Sequence, residues 1–155
     1  MSLNLILLFL LLSLVCSAQE PQTLTQLREL FKKAAVEEVS CKKIIKMVES
    51  NHKISNPLLE GYKASATMMM AKYVFNPFTK LAYFQKGKTI LEKAIHADNT
   101  NIELRFLRLA IQSNVPAFLG YKNNMSVDKA FLRQSIGHLE DQELKVMITG
   151  FLNTR

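Results

Sequence analysis

The sequence predicts an all-α protein of about six helices that pack as antiparallel hairpins. Apolar residues recur at alternating spacings of three and four along most of the chain, which is the repeat of an amphipathic helix. Helix-start signals also recur, since Asn56-Pro57 and Asn76-Pro77 each place an N-cap residue before a proline at the first helical position. Glycine and proline are scarce, with five and four residues in 155, and strand-type alternation does not recur.

The first element along the chain is an apolar segment, residues 1–18, that we interpret as a signal peptide. It contains no charged residue and ends in a small-residue junction at Ala18. Its apolar core is shorter than the roughly 20 residues that span a membrane. We therefore expect cleavage after Ala18 and export to the periplasm or to the exterior of the cell. A lipoprotein attached through Cys16 and an uncleaved anchor are the alternatives.

The remaining residues, 19–155, are expected to form a single domain. A chain of this length can bury a hydrophobic core, and it is too short for a multidomain enzyme. Removal of Cys16 leaves Cys41 as the only cysteine, so no intramolecular disulfide can form. The domain must therefore be held together by packing alone.

Caps and apolar repeats place the helices of this domain in order. The first is predicted as one long helix, because Thr23 and Gln26 form a capping box ahead of a long apolar stripe. The two Asn-Pro pairs open the second and third helices. Later helices are opened by Thr100 with Glu103 and by Ser126 with Asp128. The predicted helices span residues 24–49, 57–74, 77–97, 101–113, 127–137 and 140–153.

The second and third predicted helices, 57–74 and 77–97, carry apolar residues on two faces. A helix with two apolar faces lies between neighbours, so we expect these two helices to form the central pair of the domain. Gly87 lies in the middle of the third helix, where glycine costs about 1 kcal/mol relative to alanine. Its presence there predicts that another helix approaches closely at this position.

Residues 87–99 resemble the second half of a tetratricopeptide repeat. Gly87 and Ala94 stand at the small positions of the repeat, Leu91 at a bulky one, and Asn99 where the family places proline. The resemblance implies tetratricopeptide-like stacking of helical hairpins, with an irregular helical bundle as the alternative.

A second resemblance concerns a family of small exported bacterial proteins that has no assigned function. It is carried by three short runs, Asn76-Pro77-Phe78, Arg105-Phe-Leu-Arg108 and Phe118-Leu-Gly-Tyr121. This resemblance implies export and a helical fold, and it implies no activity.

Residue patterns typical of catalysis or metal binding are largely absent from the sequence. No histidine has another histidine or a cysteine three or four residues away, and the chain has no Cys-x-x-Cys motif and no glycine-rich phosphate loop. Cys41 lies on the apolar stripe of the first helix, so we expect a buried thiol and not a nucleophile. We expect Met68, Met69 and Met70 to fill the core, because consecutive helical residues point about 100° apart and cannot converge on copper. The three histidines are His52, His96 and His138.

Positive charge is concentrated in the middle of the chain. Residues 42–93 sum to +7, which equals the net charge of the whole protein, and no acidic residue lies between Glu60 and Glu92. Such a patch attracts an acidic protein, an anionic membrane surface or a glycan, unless its lysines merely solvate the edges of buried helices. Nucleic acid is disfavoured by the predicted export. The candidate basic patch consists of Lys63, Lys72, Lys80, Lys86 and Lys88.

One face of the fourth predicted helix supplies candidate partner contacts. Arg105, Arg108 and Gln112 share this face at i, i+3 and i+7. The two arginines either pair internally with acids such as Asp98 or Glu103, or bind a carboxylate of a partner.

The connection that follows, residues 114–126, is long and unusually apolar. Its Phe118, Leu119 and Tyr121 either plug the end of the bundle or form a binding loop. Phe118 and Tyr121 therefore join the arginine face as candidate partner contacts.

These features predict a non-catalytic protein-interaction module without cofactor or metal. The alternative is a helical bundle that binds a small molecule or lipid, with residues 114–126 as its lid. A hydrolase is the least favoured of the three possibilities.

Overall fold

The computed structural model describes residues 19–50 and 56–154, with side chains from Thr23 onward. Over these ranges the chain is all-α and contains no β-strand, which confirms the predicted fold class. The predicted signal peptide, Cys16, Ala18 and His52 lie outside the described residues. The described α-helices are α1 Gln19–Ala34, α2 Glu38–Ser50, α3 Pro57–Met70, α4 Pro77–Ala97, α5 Ile102–Asn114, α6 Met125–Ser135 and α7 Gln142–Asn153. Short 3-10 turns span Ala117–Leu119 and Ile136–His138.

The predicted helix 24–49 is wrong, because a turn at residues 35–37 divides it into α1 and α2. The backbone carbonyls of Ala34 and Ala35 at this break accept hydrogen bonds from a distant part of the chain. Tyr73 donates its hydroxyl proton to the Ala34 carbonyl over 2.7 Å, and Lys72 Nζ donates to the Ala35 carbonyl over 2.6 Å. The turn is therefore stabilised by tertiary contacts that local sequence does not contain.

Two of the predicted helix starts are confirmed and three are corrected. Asn56 and Asn76 cap α3 and α4, each accepting hydrogen bonds from the second and third residues after itself. Asn101 caps α5 in place of Thr100, with its side chain accepting from the Leu104 amide over 3.0 Å. The other two corrected starts are those of α1, which begins at Gln19, ahead of Thr23, and of α6, which begins at Met125.

The centre of the domain is formed by α3 and α5, which corrects the predicted pair of α3 and α4. Helix α3 packs against α1, α2, α4 and α5. In α5, nine of the thirteen residues are buried, whereas α4 buries five of twenty-one. Since α4 packs mainly on α3, its outer side stays exposed along most of its length.

Gly87 lies where α4 packs against α3, as predicted. A Cβ atom added to it would lie 2.5 Å from the carbonyl oxygen of Ala64 and 2.9 Å from the backbone nitrogen of Met68. Both atoms belong to the backbone of α3 and cannot rotate away. The absence of a side chain at Gly87 therefore permits the close approach of the two helices.

Substitution of Gly87 by alanine is expected to lower the free energy of unfolding by about 1–3 kcal/mol, since overpacking here forces the helices apart. The matched control is Gly150→Ala in α7, where an added Cβ meets no atom within 4 Å. There alanine should raise stability by up to about 1 kcal/mol through its helix propensity. Urea denaturation of both variants measures the two effects, and equal changes would contradict the close approach at Gly87.

Candidate functional site

A large concave surface of the described chain is an apolar groove between α1 and α7, which we name the α1–α7 groove. Its volume is about 660 Å³. Residues of α5 and α3 form its floor, and the two outer helices form its walls. The lining consists of Phe31, Lys32, Ala35, Met69, Phe106, Ala110, Asn114, Gln142, Glu143, Val146, Met147, Gly150 and Phe151.

One end of the groove is closed by a buried cluster of charged side chains centred on Arg28 of α1. The Arg28 guanidinium forms two hydrogen bonds of 2.8 Å with the carboxylate of Glu103 on α5. It also contacts Asp141 at 2.7 Å and Glu143 at 3.0 Å, at the start of α7. Tyr62 of α3 donates its hydroxyl proton to the same Glu103 carboxylate. This Arg28 cluster joins α1, α3, α5 and α7 at one level.

Charge pairing in the Arg28 cluster outweighs the cost of burying the Arg28 guanidinium. Arg28 and Glu103 are each only 4% exposed. The hydrogen bond to Glu103 raises the pKa of Arg28 despite the opposing effect of burial. Burial, followed by the negative charge of Glu103, raises the pKa of Tyr62, so its hydroxyl stays protonated and able to donate.

Beyond the Arg28 cluster, α1 and α7 line opposite sides of the groove. Thr25 and Arg28 in the middle of α1 contact Glu143 near the start of α7, so the two helices meet at this point. Further along, the groove is lined by Phe31 and Ala35 on one wall and by Val146 on the other. Val146 is 72% exposed, so this rim faces solvent.

A second buried charged cluster joins α4, α5 and α6. Asp128 of α6 is fully buried and forms hydrogen bonds of 2.6 and 2.8 Å with Arg108 and one of 2.7 Å with Arg105. Arg108 also contacts Glu92 at 2.8 Å, and Glu92 accepts the hydroxyl proton of Tyr121. Burial lowers the pKa of Arg108, but the hydrogen bonds and charges of its partners outweigh this effect and raise it overall.

This second cluster corrects the predicted contact face. The arginines pair internally, as one of the two sequence interpretations held, but with Asp128 and Glu92 and not with Asp98 or Glu103. Arg108, Gln112 and Tyr121 are buried, so none of them offers a surface to a partner. The Gln112 amide is also the one buried side-chain group without a hydrogen-bond partner among the described residues.

Within the connection over residues 114–126, one aromatic residue is buried against the bundle and another lies on an exposed turn. Tyr121 is buried and packs edge-on against Phe84 at 5.8 Å between ring centroids, which agrees with the plug. Phe118 is 85% exposed on the 3-10 turn and remains a candidate contact. Of this connection only Asn114 lines the α1–α7 groove, so residues 114–126 do not form a lid over it.

Some of the lysines in the predicted basic patch are already bound to other groups of the protein. Lys63 pairs with Glu60 at 2.7 Å, and Lys88 lies over the Tyr121 ring at 5.0 Å. Lys72, Lys80 and Lys86 are exposed, with Lys72 bound to the Ala35 carbonyl. Only part of the patch is therefore free to attract an anionic partner.

The other residues that the sequence singled out have structural positions. Cys41 is fully buried, and burial raises the pKa of its thiol to about 11. Met68 and Met70 lie in the core. His96 and His138 are exposed, and no group of three potential metal ligands occurs within the two described ranges.

Sequence reasoning missed the Arg28 cluster, although one signal was present. Arg28 lies four residues after Leu24 and three before Phe31, so it interrupts the apolar face of α1. A charged residue on such a face requires a buried partner of opposite charge. Its partner Glu103 is 75 residues away, however, and sequence alone does not identify it.

No protein family, curated protein or solved structure matches this chain. Among the described helices, none is long and apolar enough to cross a membrane.

Proposed function

We propose that this protein is a non-catalytic protein-interaction module that binds the apolar face of a partner helix in the α1–α7 groove. The observation that carries the proposal is the open apolar groove itself, whose floor is formed by residues of the packed helices α3 and α5. Apolar surface left exposed in a groove of this size is typical of a binding site.

The dimensions of the groove suit a short helical segment. Its floor follows α5 from Phe106 through Ala110 to Asn114, a length of about 12 Å at 1.5 Å per residue. That length corresponds to about two turns of helix. A partner would therefore present apolar residues at i, i+3 or i+4, and i+7, the pattern of helix-in-groove recognition.

The closed end of the groove keeps its walls in place before a partner binds. The Arg28 cluster fixes the middle of α1 and the start of α7 relative to the floor through several charge-assisted hydrogen bonds. A preorganised groove reduces the ordering cost of binding. Lys32 and Glu143 also line the groove, but each is already paired within the protein, with Glu29 and Arg28 respectively, so recognition would depend mainly on the apolar lining.

Site-specific photocrosslinking tests the proposal in the native compartment. A photoreactive amino acid replaces Val146 on the rim of the groove, and in a control protein it replaces Val127 of α6, which is 58% exposed and does not line the groove. We expect a discrete protein adduct from position 146 and none from position 127.

Filling the groove provides the matched control for this experiment. Gly150→Leu places a side chain into open space in the groove, whereas Gly137→Leu places the same side chain into open space outside it. Gly150→Leu should abolish the adduct and Gly137→Leu should preserve it. An adduct that survives Gly150→Leu would contradict binding in the groove.

A small molecule or lipid is the second candidate ligand for the same groove. The observation in its favour is the volume of about 660 Å³, which lies within the range of small-molecule pockets. Native mass spectrometry of the purified protein distinguishes the two: a bound small ligand that Gly150→Leu displaces would favour this alternative.

Location outside the cytoplasm is part of the proposal, resting on the apolar segment 1–18. Mass spectrometry of the protein from its native cells tests it. An N-terminus at Gln19 supports export with cleavage after Ala18, and a lipid mass on Cys16 would replace it by membrane anchoring.

A further inference from the structure

The start of α4 carries an exposed aromatic surface that the proposed groove does not use. Phe75 is 98% exposed, Phe78 82% and Leu81 43%. Together with Lys80 in the same turn and with Lys86, about 12 Å further along the helix from Phe78, they form what we name the α4 tip. Large apolar side chains grouped on a surface in this way mark an interaction site.

The α4 tip projects from the domain because α4 is longer than the helix it packs against. Gly87 is level with the turn from Ala64 to Met68, and α3 ends soon afterwards at Met70. Ten residues of α4 precede Gly87, a length of about 15 Å. All residues from Phe75 to Ala82 are exposed, so every side of the helix start faces solvent and the tip is convex.

The tip is also rigid. The side chain of Asn76 accepts hydrogen bonds from the amides of Phe78 and Thr79, at 2.9 and 3.1 Å. Pro77 fixes the first backbone angle of the helix. The two phenylalanines are therefore presented on a fixed turn, which reduces the entropy lost when they are buried.

The charge around the tip is positive. Lys80 and Lys86 are exposed, and the chain has no acidic residue between Glu60 and Glu92. Acids at the same end of the domain come from the turn after α1, where Glu37 accepts a hydrogen bond from Ser40 and Glu38 pairs with Lys42. The same turn adds exposed Val36, and the adjacent Ala35 carbonyl accepts a hydrogen bond from Lys72, three residues before Phe75.

We propose that the α4 tip docks on an anionic lipid surface, with Phe75 and Phe78 inserted among the headgroups and the lysines bound to lipid phosphates. A convex apolar tip with adjacent lysines fits a fluid anionic surface, which deforms around protruding side chains. Docking is peripheral, and the α1–α7 groove remains a separate site.

A single tryptophan tests this proposal, because the protein contains none. Phe78→Trp reports from the tip. Val127→Trp is the control, because Val127 lies far from the tip. Its neighbour Asp128 binds Arg108, which in turn binds Glu92, so Val127 is close to the part of α4 that contains Glu92. Glu92 is fourteen residues after Phe78, which is about 21 Å along the axis of α4, and the control position lies at the Glu92 end of this distance.

With vesicles of phosphatidylglycerol and phosphatidylcholine in equal parts, Phe78→Trp emission should shift to the blue and be quenched by brominated acyl chains. Val127→Trp emission should do neither. Because the tryptophan reports on its own surroundings, the emission shift detects insertion of the tip and does not depend on whether residues 1–18 are retained. Unchanged Phe78→Trp emission would overturn the proposal, and so would a blue shift that needs no vesicles and grows with protein concentration, which indicates a second copy.

Charge reversal tests the lysines separately. Lys80→Glu with Lys86→Glu should weaken vesicle partitioning about 10-fold or more. Lys93→Glu with Lys122→Glu changes the net charge equally at exposed positions away from the tip, and should have a smaller effect. Equal losses for both pairs, or equal binding to pure phosphatidylcholine, would overturn the assignment of the lysines to lipid phosphates.

Discussion

Replacement of Glu103 by alanine is expected to lower the free energy of unfolding by about 3–5 kcal/mol. Glu103 is 4% exposed and accepts hydrogen bonds from both Arg28 and Tyr62. Without it, the Arg28 guanidinium stays buried with only the partly exposed Asp141 and Glu143 as partners. Chemical denaturation monitored by circular dichroism measures the change.

Two comparisons isolate the cause of this loss. Glu140→Ala removes an exposed carboxylate next to the same cluster and should change stability by no more than about 0.5 kcal/mol. The triple variant Arg28→Met, Tyr62→Phe, Glu103→Leu removes the buried polar groups together and should recover most of the loss. If the triple variant is less stable than Glu103→Ala, the loss does not come from an uncompensated buried charge.

Replacement of Asp128 by alanine should have a comparable effect, about 3–5 kcal/mol, on a different part of the domain. Asp128 is fully buried and binds two arginines, so its removal leaves two like charges close together without their shared partner. The cluster attaches α6 to α5. Backbone amides of α6 should therefore exchange hydrogen faster in this variant than those of α3, as measured by mass spectrometry.

The matched control is Asp98→Ala. The Asp98 carboxylate accepts hydrogen bonds from Thr100 and Asn101, which are neutral side chains. Its loss should cost about 0.5–1.5 kcal/mol and should not accelerate exchange in α6. A double-mutant cycle with Arg108→Met and Asp128→Leu should show non-additivity, because the two side chains contact each other directly. Strict additivity would contradict the role of the ion pair.

The helices that were predicted correctly are those whose starts depend on adjacent residues. An asparagine followed by proline determines a helix start locally, since the asparagine side chain accepts hydrogen bonds from the backbone amides of the first turn. The break between α1 and α2 could not be predicted in this way. Its carbonyls are bound by Lys72 and Tyr73, which are more than thirty residues away in the chain.

The candidate site was less predictable than the fold. Arg105 and Arg108 could be identified as a pair from their helical spacing, but whether they bind inward or outward depends on the position of Asp128. The α1–α7 groove lies between two helices at opposite ends of the domain sequence. Side-chain periodicity identifies apolar faces, and it does not state which of them remain uncovered.

By itself, the sequence determined that this is an all-α domain with one buried cysteine and two Asn-Pro helix starts, because these properties depend on short-range spacing and composition. Tertiary structure alone decided the buried partners of Arg28 and Arg108, the open groove and the projecting α4 tip. The physical reason is that a buried charge or an uncovered face is defined by what lies opposite it, and in this fold the opposite group comes from a distant helix.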